Sequence, residues 1–118
     1  HKSDMLPNET VPIGLQHEIH EGKAVIRSNI SGNKIEEFDI YIQKISKFNQ
    51  DASKGMIVKI TDPRLLDKTN GIVQGMSGSP ILQDGKLIGA ITHVFVQDPT
   101  KGYGIFIESM LKKEDLME

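Results

Sequence analysis

The spacing of the apolar residues constrains this chain more than any other feature. From Val11 onward that spacing is mostly two. Two is the period of a strand with one face on a core and the other in water. The stretch EEFDIYIQKI, about residues 35–45, shows it best. Phe38, Ile40 and Ile42 fall on one face, and Asp39, Tyr41 and Gln43 on the other. KAVIRSNI (Lys23 to Ile30) and MIVKI (Met56 to Ile60) also read as strands, stopped by Ser31-Gly32-Asn33 and Asp62-Pro63. The run PILQDGKLIGAITHVFV carries the strongest hairpin signal. Its strands, 80–84 and 86–97, flank Asp84-Gly85, a pair that accepts the positive φ of a tight primed turn. GYGIFI, about 103–108, makes a last strand.

The remaining segments read differently. Residues 1–22 form a polar arm, with a doubtful strand at Val11 to Ile19 broken by Pro12 and Gly14. Residues 48–55, 61–76 and 98–102 read as loops. ESMLKKEDLME predicts a short C-terminal helix, with Met110, Leu111 and Leu116 on one stripe. Ile57, Ile88, Ile91, Ile105 and Ile107 join the expected core. Short strands separated by glycine turns make the fold all-β, a closed barrel or sandwich.

Size and charge narrow the function. With 118 residues the chain can bury one core. Lys and Arg number 14 against 16 Asp and Glu, so no basic excess exists to neutralise phosphates, and a nucleic-acid partner is not expected. There is no cysteine, which excludes disulfides, thiolate-bound zinc and a thiol nucleophile. No cofactor or metal site is expected. No apolar run approaches the roughly 18 residues of a membrane helix. The chain opens at His1 rather than Met, which fits an excised or processed piece.

One segment carries chemistry: Gln74-Gly75-Met76-Ser77-Gly78-Ser79-Pro80. Glycines beside Ser77 clear space around its hydroxyl and admit unusual backbone angles. The N–H groups of Gly75 and Ser77 can then converge on one point, an oxyanion hole. Pro80 opens the next strand, where its missing N–H costs least. The bland alternative is a plain Gly/Ser loop.

The run from Gly75 through Thr92 resembles the active-serine segment of chymotrypsin-like proteases, with Met76 and Ser79 replacing an Asp and a Gly. The closer resemblance is to the SpoIVB peptidase family of sporulation serine proteases. It rests on Ile60-Thr61-Asp62-Pro63-Arg64-Leu65-Leu66 and on Gly71-Ile72-Val73-Gln74-Gly75-Met76-Ser77-Gly78-Ser79-Pro80. It extends through Thr92-His93-Val94-Phe95-Val96, Asp98-Pro99-Thr100 and Gly102-Tyr103-Gly104. The resemblance implies that residues 23–118 are the six-stranded C-terminal barrel of a two-barrel, chymotrypsin-like enzyme. The barrel bearing the catalytic His and a PDZ domain would lie outside this chain.

The resemblance further implies that Ser77 is the nucleophile, that Asp62 is the triad acid, and that Thr92, His93 and Val94 line the substrate site. The expected substrates are the protein itself and a component of a membrane-embedded sporulation complex, cleaved between the forespore and mother-cell membranes. That cleavage would signal activation of a late sigma factor. The base is the missing part. His17 and His20, three apart, would face opposite ways on a strand and read as solvated, and His93 reads as a wall residue. The isolated chain is therefore expected to be inactive. Two rivals stand beside this reading. One is a non-enzymatic barrel that binds peptides. The other is a homodimer formed through an exposed barrel face.

Overall fold

The computed structural model describes residues 11–29, 34–46, 51–69 and 76–117. Six strands carry the fold: β1 (Gly22–Ser28), β2 (Glu36–Ile45), β3 (Met56–Ile60), β4 (Pro80–Gln83), β5 (Lys86–Val94) and β6 (Lys101–Phe106). They close into a barrel in the order β1-β2-β3-β6-β5-β4. Every neighbouring pair is antiparallel, including β1 with β4, which seals the cylinder. Closure removes the free sheet edges that an open six-stranded sheet would expose.

The alternation in β2 behaves as its sequence demands. Phe38, Ile40 and Ile42 are buried, whereas Asp39, Tyr41 and Gln43 are exposed. With Ile26, Met56, Val58, Ile60, Ile81, Ile88, Ile91 and Phe106 they fill the barrel. Ile57 and Ile105, expected in the core, lie on outward positions and are only partly buried. The Asp84-Gly85 turn has φ of 54° and 77° at its two residues, the primed geometry that the hairpin needs. Gly89 meets a different demand. A Cβ there would lie 2.0 Å from the carbonyl oxygen of Ile105 on the adjoining strand. Gly89→Ala is therefore expected to cost about 2–4 kcal/mol, read as a lower urea midpoint.

Two segments differ from expectation. Val11 to Ile19 is not a strand. Ile13 makes a single parallel bridge to Leu87, and Gln16–Glu18 is a 3-10 turn. Pro12 and Gly14 allow that bridge and no more. Residues 61–76, read as loop, contain helix α1 (Pro63–Thr69). The chain ends in helix α2 (Ile107–Met117), where Leu111 is 40% exposed rather than packed. Leu116 lies outside the residues whose side chains are described.

Topology places the functional segments. In an all-antiparallel barrel, successive strands run in alternate directions. The chain therefore leaves β3 and enters β4 at the same end. Asp62, α1 and Ser77 all belong to that one connection. Leu65 of α1 and Met76 beside Ser77 are buried and join the core cluster. Both ends of the connection are thus anchored in the barrel.

Candidate active site

Ser77 sits in a tight turn. The N–H of Ser79 donates to the Met76 carbonyl at 3.0 Å, and Gly78 has φ of 91°. A positive φ at the third turn residue is the type II signature, and there Gly costs least. The turn is stitched to β5: Gly78 N–H donates to Ile91 O at 2.7 Å, and Ile91 N–H to Ser79 O at 3.0 Å. Met76 and Ser79 are buried, while Ser77 between them is exposed. Its hydroxyl donates to the Thr92 carbonyl at 3.3 Å. Among the described residues nothing accepts the Ser77 N–H. Gly75, the expected second oxyanion donor, lies outside the described residues.

Thr92 and His93 occupy a bulge. The register between β5 and β6 slips between Ile91 and His93, so Thr92 stands as the extra residue. A bulge of this kind re-aims side chains. Thr92 Oγ1 donates to the Ser53 carbonyl at 2.6 Å, which ties β5 to the 3-10 turn Ala52–Lys54. His93 is exposed and pairs across the ladder with Tyr103. Val94 is half-buried against the core. The structure thus brings Ser77 to Thr92 directly and sets His93 and Val94 next along the same strand.

Asp62 is buried and begins α1 from just outside it, with Pro63 in the first helical position. Pro there sacrifices only an N–H that lacks a helical partner anyway. The carboxylate accepts four bonds. Oδ1 takes Arg64 N–H and Arg64 Nε, both at 3.0 Å, and Oδ2 takes Asp39 N–H at 3.0 Å and Arg64 Nη2 at 2.8 Å. A carboxylate offers about four lone-pair positions, so Asp62 is saturated. The Arg64 side chain, assisted by the two backbone N–H bonds, holds its pKa at about 2 against an ordinary 3.8, overcoming the opposing effect of burial. Arg64 also donates to the Glu37 carbonyl at 2.7 Å and lies over the Phe38 ring, 4.9 Å from its centroid. Asp62 and Arg64 together clamp α1 onto the start of β2.

The other acid beside Asp62 and the two upstream histidines make no contact with Ser77 among the described bonds. Asp39 is exposed, and its carbonyl accepts from Thr61 and Asp62 N–H. His17 is exposed, and His20 pairs with Asp84 at 2.9 Å on the far hairpin. Among the described residues no cluster could hold a metal. Sequence reasoning missed α1 and the Arg64 clamp. The Asp62-Pro63 pair was the available signal, since Asp before Pro marks a helix start as readily as a turn.

The closed antiparallel barrel thus presents an exposed serine at a glycine turn beside a strand end. The chain belongs to the SpoIVB peptidase family: the family model described as SpoIVB peptidase S55 matches residues 1–111. That family implies a serine peptidase. Nothing among curated proteins or solved structures matches the chain.

Proposed function

We propose that this barrel carries the nucleophile of a SpoIVB-type serine endopeptidase. The observation that carries the reading is the exposed Ser77 hydroxyl, held at a Gly78 turn on the Thr92 carbonyl of β5. Past the Ser77 turn β4 has not yet begun, so among the described residues β5 from Thr92 to Val94 has a strand partner, β6, on one side only. An extended peptide would add there as a strand.

In the reaction, Ser77 Oγ forms a bond to the substrate carbonyl carbon while its proton passes to a histidine base. The N–H groups of Ser77 and Gly75 stabilise the oxyanion. Collapse breaks the C–N bond, and the histidine returns the proton to the leaving amine. Water then releases the acyl group by the same route. The base would come from an upstream barrel outside this chain. The saturation of Asp62 supports a positioning role, in which it fixes the connection that carries Ser77. Orienting the base directly would require it to release Arg64. The resemblance also supports autoproteolysis and cleavage of a membrane-complex partner during sporulation as the biological substrates. Ser77→Ala in the enzyme that contains both barrels tests the reading. Peptide cleavage should vanish, and cleavage that persists would favour a peptide-binding barrel without enzymatic function.

A further inference from the structure

We propose that the outer face of β2, β3 and β6, beside the Ser77 turn, docks an acidic stretch of the peptide substrate through Lys44, Lys54, Lys59 and Lys101. This rests on the peptidase reading of Ser77.

The first observation is a broken rule of sheet pairing. Lys59 of β3 stands directly opposite Lys101 of β6. Like charges facing each other across an antiparallel ladder destabilise it. The chain carries more acidic than basic residues, so this pairing is not an overflow of lysines. Local rules tend to be broken where function requires it.

The face around this pair is continuous. Tyr41, Lys59 and Lys101 form one outward row, and Lys44, Ile57, Tyr103 and His93 form the next. Lys54 Nζ lies 5.3 Å from the centroid of the Tyr103 ring, and Phe95 stacks on Tyr103 at 4.7 Å. A recess of about 180 Å³ opens between Lys44 and Lys54, floored by Gly55, Ile57 and Tyr103. Among the described residues no carboxylate forms an ion pair with Lys44, Lys59 or Lys101. Two acids border this side. Asp51 accepts from Ser53 and Asp98 from Thr100, and each also feels nearby cations, Asp51 the charge of Lys54 and Asp98 those of Lys101 and Lys59. They offset part of the repulsion, and the four lysines still outnumber them.

The occupant follows from charge and continuity. The second row ends at His93, on the strand that would pair with the substrate. A peptide seated there can continue across the sheet, with Asp or Glu side chains reaching the lysines. A recess sized for one side chain, set between cations and an aromatic ring, suits a peptide carboxylate better than a planar lipid surface.

The test uses the catalytically inert Ser77→Ala variant and two fluorescein-labelled peptides, one with Glu at alternate positions and one with Gln in their place. Anisotropy should show about tenfold tighter binding of the Glu peptide at low salt, as expected for several exposed ion pairs together. The preference should collapse near about 0.5 M salt, where screening is strong. Lys59→Gln/Lys101→Gln should abolish most of it. Lys101→Glu, which reverses the charge beside Lys59, should lose the preference entirely. Equal affinity for the two peptides, a preference that survives the lysine variants, or binding to phosphatidylglycerol vesicles without binding to the Glu peptide would overturn the proposal. Because binding is read on an inert variant, its failure leaves the Ser77 reading intact. Cleavage that persists without Ser77 would overturn that reading instead.

Discussion

Asp62→Ala is expected to destabilise the barrel by roughly 3 kcal/mol, a large share of the 5–15 kcal/mol that holds a typical domain. The substitution removes the helix cap of α1. It also strips the acceptor from the partly buried Asp39 and Arg64 N–H groups, and releases the Arg64 guanidinium. Arg64→Ala should cost less, because the two backbone donors keep their acceptor and Arg64 is half exposed. Urea unfolding of the two variants checks the order; a larger loss for Arg64→Ala would contradict the clamp. The pH dependence carries the same signature. The folded carboxyl titrates at about 2 and the ordinary group at 3.8. As pH falls, the unfolded chain takes up its proton first. The stability that Asp62 contributes is therefore full above about pH 4 and is lost progressively down to about pH 2. Asp62→Asn should flatten the stability curve within that window.

Ser77→Ala should do the opposite: large in activity and near zero in stability. The side chain is exposed, and its hydroxyl makes one long bond to Thr92 O at 3.3 Å. Removing it should move stability by no more than about 0.5 kcal/mol. Loss of a serine nucleophile, by contrast, lowers kcat by about 10⁴-fold or more. Intact melting with lost cleavage separates a nucleophile from a structural serine. A variant that loses both would point to a packing role for the turn.

The barrel was legible because its signals are local and redundant. Phe38, Ile40 and Ile42 had to share a face, and Asp84-Gly85 could turn only one way. The helix at Pro63–Thr69 was not legible from periodicity, since seven residues give too few turns to show a stripe. What fixes it is the Asp62 cap and the burial of Leu65, which depends on a barrel end built from distant strands. Ile57 and Ile105 misled for a related reason. Their apolar character says nothing about direction, and ladder parity turns both outward. The turn that exposes Ser77 was legible from its glycines. The surroundings of Asp62 were not, because Arg64 reaches back two residues to its carboxylate, a pairing that spacing alone does not reveal.

The most direct measurement is fluorophosphonate labelling followed by peptide mapping. If a base is supplied from an upstream barrel, as proposed, a polypeptide that carries that barrel as well should form one adduct, on Ser77, and the 118-residue chain by itself should form none at a comparable rate. Rapid labelling of the isolated chain would contradict a base supplied from outside. An adduct on another residue, or undiminished labelling of Ser77→Ala, would contradict Ser77 as the nucleophile.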